Sequence, residues 1–245
     1  MLFRIRALCG ALFTVIVFSS CSREDSGLTQ QQNPCIYNTH TPADNFGITT
    51  LLAAPGYDSA FCGLMPMKNG AYWVFTDSLF NASGTLTGVT TDTLKITAAY
   101  RSPADRSIWW NFFSLRKKGM RSQALTTDSV VYFLDIPNLF PPVFRLNRWL
   151  HIPAADTIAR TANLSDVAYM ERNIRLPGAV TVPAGSYTGC ISISKFWGTY
   201  SETMTIKPGT GIIAYRLYDA GALPPYLFTH GAVRQVSVLT SFQVF

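Results

Sequence analysis

The imidazole of the chain is limited to His40, His151 and His230, in segments far apart. None sits in an HxH or HExxH spacing that would bring two ring nitrogens onto one metal. Neither "KNGAY" nor "PAGSY" is a GxSxG nucleophile elbow. Glutamate is scarce, with only Glu24, Glu171 and Glu202. A glycosidase needs two carboxylates facing across a cleft, and Asp135 or Asp156 with Glu171 could supply them only through folding of distant segments. A carboxylate so placed beside His151 or His230 is the one route to a secreted hydrolase. The sequence assigns no catalytic residue, no metal ligand and no cofactor.

Aromatic rings are the richer resource. In "SIWWNFFSL" the adjacent Trp109 and Trp110 must point to opposite sides of a strand, so one of them leaves the main core. With Trp149 and Trp197 they form a candidate set for stacking on sugars or lining an apolar cleft. The alternative is a ring covered by a loop such as "NLFPPVF".

The N-terminus carries a different chemistry. Arg4 and Arg6 precede the apolar block Ala7 to Phe18, and Ser19 and Ser20 close it, the layout of an export segment. The block is too short to cross a bilayer. Phe18-Ser19-Ser20-Cys21 resembles the lipobox of bacterial lipoproteins. That resemblance implies a signal peptide over residues 1–20, and a Cys21 that is acylated and becomes the new N-terminus. It implies a membrane partner through the lipid anchor. One acyl chain holds only marginally, and two or three hold durably. Glu24 and Asp25 are similar to the acidic tag of surface lipoproteins in the Bacteroidota, which implies an outer-membrane, surface-exposed location.

With Cys9 in the export segment and Cys21 lipidated, Cys35, Cys62 and Cys190 remain of the five cysteines. Three is odd, so at most one bond forms within a molecule. In an oxidising compartment the best pair is Cys35 with Cys62, which would clamp a region poor in periodicity. Cys190 then reads as a small buried apolar residue. Asp-Ser/Thr-aliphatic recurs at Ser59, Ser78, Thr93, Ser129 and Thr157, five times where average usage gives about one. The pattern resembles the O-glycan acceptor motif of the Bacteroidota, and it equally suits a turn that opens into a strand.

Composition limits the partners. Removing 20 residues lowers the formal charge from +6 to 18 − 14 = +4, and the longest basic cluster, Arg116-Lys117-Lys118, suits a solvated hairpin end. No nucleic-acid partner is expected. Charged residues make up 14% of the chain, against roughly 25% in ordinary domains, a mix that suits sheet surfaces.

Residues 21–34 read as a flexible tether and 35–64 as an irregular lead-in packed on the body. From 65 to 245 short β-branched and aromatic runs, such as "AYWVFTD", "SVVYFLD" and "TMTIKPG", alternate with Gly, Pro, Asp and Ser. At the end Val236, Val238, Thr240, Phe242 and Val244 alternate with Gln235, Ser237, Ser241 and Gln243, predicting an apolar core side and a polar water side. Leu164 to Arg172 is the one candidate for a short helix, capped by Asn163 or Ser165. The expectation is a single all-β domain, an antiparallel curved sheet or barrel-like body with little helix. Counted back from Phe245, the set Gln243, Ser241, Leu239 and Ser237 is too polar for a lipid-facing strand, so the membrane-barrel reading fails there.

"MPMKNGAYWVF" (65–75), "VTVPAGSYTGCISI" (180–193) and "IKPGTGIIAY" (206–215) together resemble a set found in uncharacterised lipoproteins, many from the Bacteroidota. There the pattern runs "PLKxGNxWVY", "TVPAGTFxxC" and "xAPGVGLVK". Ala71 replaces a common Asn or Ser and Tyr187 a usual Phe, and Pro208 lacks the preceding aromatic and Ala. The resemblance implies architecture and compartment and carries no activity. Two functions remain for the structure to weigh: an envelope-anchored, non-enzymatic protein that binds a glycan, lipid or protein partner, and the hydrolase. An adhesin or assembly subunit would instead show a strand edge able to accept a partner strand.

Overall fold

The computed structural model describes residues 35–38, 51–113, 123–135, 145–152, 157–164, 167–197, 199–220 and 229–245. The expected signal peptide, Cys21 and tether lie outside the described residues. In chain order the strands are β1 (Cys35–Tyr37), β2 (Leu52–Ala53), β3 (Ala60–Cys62), β4 (Tyr72–Phe80), β5 (Leu86–Arg101), β6 (Ile108–Phe113), β7 (Gln123–Thr126) and β8 (Val130–Asp135). They continue as β9 (Arg145–His151), β10 (Thr157–Leu164), β11 (Val167–Arg175), β12 (Val180–Val182), β13 (Gly185–Tyr187), β14 (Ile191–Phe196), β15 (Tyr200–Lys207), β16 (Gly211–Asp219) and β17 (Val233–Gln243). The described residues form no helix.

The body is one large antiparallel sheet in the order β10-β11-β14-β15-β16-β17-β4-β5-β6-β7-β8-β9, with β2 added on β5. It is not closed into a barrel. Its two edge strands, β9 and β10, are neighbours in sequence. β1 and β3 pair in parallel, and β12 and β13 form a separate hairpin. Register shifts interrupt seven ladders of the large sheet, and such bulges add the twist that lets a wide sheet curl.

One peptide unit measures that curl. Gly63 O accepts from Gly209 N (3.2 Å), in the β15–β16 turn, while Leu64 N donates to Thr127 O (2.8 Å), in the β7–β8 turn. Those turns stand about six strand spacings apart, roughly 29 Å in a flat sheet. A single peptide reaches both, so the sheet's end is drawn nearly shut there. Residues 60–67 act as a strap across it. Phe61, Leu64, Met65 and Met67 are buried in the main core, and Met65 N donates to Thr126 Oγ1 at 3.3 Å. The strap passes so close that a Cβ on Gly63 (φ +152°) would lie 2.6 Å from Thr126 Oγ1 and 2.7 Å from Thr127 O. On the other side a Cβ on Gly211 would lie 3.1 Å from Met65 Cγ.

Inside the curl the main core joins Trp73 and Phe75 of β4, Leu94 and Ile96 of β5, Trp110 and Phe112 of β6, Phe133 of β8, Ile193 of β14 and Met204 and Ile206 of β15. A second cluster, Trp109, Leu125, Val130, Tyr132 and Leu134, packs on the outer face with Leu51 and Tyr100. Burial on both faces is why "VVYFLD" reads as an unbroken apolar run.

Two expectations are corrected. The described residues of Leu164 to Arg172 are not helical: Leu164 ends β10 and Val167 to Arg172 belong to β11, because cross-strand pairing outweighs a weak local period. On β17 the expected polar side is the more deeply buried one ahead of the bulge: Ser237 and Leu239 are fully buried, while Val236 and Val238 are only partly so, although Val238 still packs on the main core. A register shift between Leu239 and Ser241 then moves the strand by one residue, so Phe242 and Val244 pack on the core. An alternation rule cannot see a bulge.

Candidate functional site

Moving away from the strap, the inward side chains change character. On β4 the order is Trp73, Phe75, Asp77; on β14, Ile191, Ile193, Lys195; on β15, Ile206, Met204, Glu202. Trp73 marks the strap end, its indole Nε1 donating to Thr210 O at 2.7 Å. Beyond the apolar layers lies a buried polar belt of Glu171, Lys195, Glu202, Ser237, Asp77 and Asp92.

Register places the belt. Lys195 stands between Glu171 and Glu202 in the ladders. Tyr215 faces Ser237, Ser237 faces Asp77, and Asp77 faces Thr90. Asp92, two residues from Thr90, faces Phe75. The belt steps from one ladder row to the next, as tilted strands in a curled sheet require.

Hydrogen bonds tie it together. Tyr215 Oη donates to Glu202 Oε2 (3.2 Å), and Gln235 Nε2 donates to Ser237 Oγ (2.9 Å). Asn173 Nδ2 donates to Glu171 Oε1 (2.8 Å) and to the His151 carbonyl (3.3 Å). Burial, and then the charge and hydrogen bond of Glu202, hold the Tyr215 phenol well above its usual range. It is a fixed donor rather than a base.

A second polar group occupies the opposite face. His230 lies between the rings of Phe196 (centroids 4.8 Å apart) and Tyr218 (4.1 Å). Its Nδ1 is 2.9 Å from Ser201 Oγ and its Nε2 is 3.3 Å from Thr203 Oγ1. Burial, followed by the Arg172 cation, lowers its pKa. Phe196, Ser201 and Tyr218 are successive ladder partners, so the ring caps a row on the outer surface.

The sequence-derived site residues fare unevenly. Trp109 and Trp110 do point to opposite faces, but each is enclosed, at 0% and 1% exposure. Trp109 sits in the outer cluster, its indole Nε1 donating to Ser107 Oγ at 2.8 Å. Trp110 contacts Phe61 and Tyr57 edge-on. Trp197 is buried and stacks on Tyr200 (5.7 Å). Neither Trp109, Trp110 nor Trp197 presents an open ring face: Trp110 lies in the main core, Trp109 in the outer cluster and Trp197 against Tyr200. The Trp149 side chain lies outside the described residues.

Cys35 and Cys62 are joined in a disulfide, Cα atoms 5.1 Å apart, and Cys190 is free and buried. Ser59 and Ser129 are exposed, Ser78 and Thr93 are partly exposed within β4 and β5, and the Thr157 side chain lies outside the described residues. Asp58 and Asp128 are exposed beside their serines, whereas Asp77 and Asp92 turn into the belt. One tripeptide pattern thus serves two structural roles.

Glu171 lies on the inner face among Asn173 and Lys195. His40, Asp156 and the Asp135 side chain lie outside the described residues. Among the described residues no three metal-ligating side chains converge. Sequence reasoning missed Asp77, Asp92, Lys195, Tyr215 and Ser237; the available signal was a charged residue continuing an inward alternation, as in "WVFTD" and "ISISK".

No protein-family model matches the chain, and no curated protein matches it. Two solved structures align with 74% of this chain and 99% of their own. One is a provisionally designated lipoprotein from Parabacteroides distasonis, with 11% identity and a TM-score of 0.39. The other is a provisionally designated exported protein with a YmcC-like fold from Bacteroides fragilis, with 13% identity and a TM-score of 0.40.

Proposed function

We propose that the chain is an envelope lipoprotein of non-enzymatic type, held to the outer membrane by acyl chains on Cys21. Its β body binds a glycan, lipid or protein partner there, at the end of the curl that carries the polar belt. The observation behind this reading is the segregation of reactive groups by the sheet. The belt carboxylates and Lys195 are inside, while His230 with Ser201 and Thr203 is outside. General acid–base chemistry needs its partners within hydrogen-bond reach of one substrate, and the sheet stands between His230 and the belt carboxylates, which argues against that pair acting together. What the belt offers instead is a fixed polar floor, its donors held on one another: the Tyr215 phenol on Glu202, the Asn173 amide on Glu171 and Gln235 on Ser237. Such convergent polar groups beside an apolar floor suit recognition. Ser59 and Ser129, on exposed turns, are the acceptor serines most open to O-glycan attachment.

The test is labelling with a lipid precursor in the wild type and Cys21→Ala, with protease shaving of intact cells. Acyl mass lost in Cys21→Ala, with the body cleaved on intact cells, supports the reading. A chain that keeps residues 1–20 and carries no acyl group overturns it.

The rival is a hydrolase pairing a carboxylate with His151 or His230, and a serine form of it would draw on the contact of Ser201 Oγ with His230 Nδ1. Both ring nitrogens already face hydroxyls, and among the described residues no carboxylate is seen orienting the ring, as a triad requires. Labelling of Ser201 by a fluorophosphonate, abolished by His230→Ala, would restore catalysis to first place.

A further inference from the structure

Large apolar side chains are exposed at both ends of the longest strand. Leu86 and Val89 lie at one tip of β5. At the other, β2 pairs with β5 so that Leu52 stands opposite the exposed Arg101. The two tips are about 50 Å apart along a sixteen-residue strand. The Leu52 end is also the strap end. Five residues beyond Leu52, Tyr57 stacks on Phe61, and Phe61 is the ladder partner of Ile36 in β1. Ile36, Tyr37 and Leu52 are 51%, 57% and 55% exposed.

β1 is where residues 22–34 deliver the chain from Cys21 to the body. A chain of fourteen residues reaches at most about 50 Å, and a flexible one averages about 20 Å. Acyl chains on Cys21 therefore hold the β1 end of the body close to the bilayer. The Cys35–Cys62 disulfide fixes β1 to the strap, so Ile36 and Tyr37 move with the body. Ile36 and Tyr37 lie on the two sides of β1, which among the described residues pairs on one edge only, with β3. That strand therefore meets a membrane by its free edge, with Leu52 and the exposed Arg101 at the same end of the sheet. Rings and aliphatics then enter the headgroup boundary and the cation meets anionic lipid. We infer that the strap end docks on the bilayer that carries the anchor, through Ile36, Tyr37 and Leu52, and turns the polar belt away from the membrane. This inference rests on the proposed Cys21 anchor.

The test uses the full acylated chain in phosphatidylethanolamine–phosphatidylglycerol vesicles containing a phospholipid with a photoreactive group in its acyl chain. Cross-linked peptides are mapped by mass spectrometry. Labelling at Ile36, Tyr37 and Leu52 severalfold above that at Leu86 and Val89 is expected. Replacing all three with Ser should cut labelling at that end severalfold while leaving the melting temperature in place. Equal labelling at the two tips of β5 on an acylated chain overturns the docking and leaves the anchor standing. A dimer in which Ile36 and Tyr37 are shielded by a second copy overturns it too. A chain without acyl mass overturns both.

Discussion

Gly63→Ala tests whether the strap holds the curl. The new methyl would sit 2.6 Å from Thr126 Oγ1 and 2.7 Å from Thr127 O. The second is a backbone atom that cannot swing aside. Gly84, at φ +77° with nothing within 4 Å of an added methyl, is the matched control: Gly84→Ala carries only the left-handed penalty of about 1–2 kcal/mol. Gly63→Ala carries a comparable penalty together with overpacking of about 1–3 kcal/mol. It also weakens the bonds from Leu64 N to Thr127 O and from Met65 N to Thr126 Oγ1, each about 1 kcal/mol. The expected difference between the two variants is about 3 kcal/mol, which for a chain of this length lowers Tm by about 10 °C. The assay is thermal unfolding of both variants, with dye binding to report release of Leu64, Met65 and Met67. If Gly63→Ala melts with Gly84→Ala, the strap is not what closes that end, and the reading of the shared peptide is wrong.

Removing the Cys35–Cys62 bond by Cys35→Ser/Cys62→Ser, which opens a sequence separation of 27, should cost about 3.5 kcal/mol by chain entropy. In urea melts reductant should shift the wild type and leave the variant unmoved. His230 has a lowered pKa in the fold, so as pH falls from neutral the unfolded chain takes up its proton first. Stability present above the ordinary histidine pKa is lost as pH drops through the folded value. His230→Gln should flatten that part of the stability–pH curve, seen by melts between neutral and acid pH. Lys195→Met leaves Glu171 and Glu202 facing an apolar group and should cost about 3–5 kcal/mol in chemical denaturation. Adding Glu171→Gln and Glu202→Gln should recover most of it.

Strand content was legible wherever β-branched and aromatic runs met turn residues. The β15–β16 turn at Pro208-Gly209 and the close approach at Gly211 rest on local backbone freedom, the kind of feature a Pro-Gly pair and a following Gly announce in a sequence. The polar belt could not be read. Asp77, Lys195 and Glu202 look like solvent-facing residues along the bare chain, and only register shows that they turn inward. The adjacent tryptophans were read correctly as facing opposite ways. Whether the outward ring is covered or open stays undecided along the bare chain, since the cover over Trp109 is a second apolar layer assembled from β6, β7 and β8. Residues 35–64 read only as an irregular lead-in because two- and three-residue strands leave no period to detect. That segment nevertheless supplies the strap.

The pairing of β17 with β4 has a consequence for how the molecule is made. Gln243 lies opposite Tyr72 and Gln235 opposite Leu79, so the first long strand waits for the last. Until β17 emerges, β4 and β16 each present a bare edge in the middle of the future sheet, with apolar side chains uncovered. A topology so rich in distant contacts assembles slowly. The nascent body is therefore sticky until β17 arrives, and a holding chaperone would act in that interval.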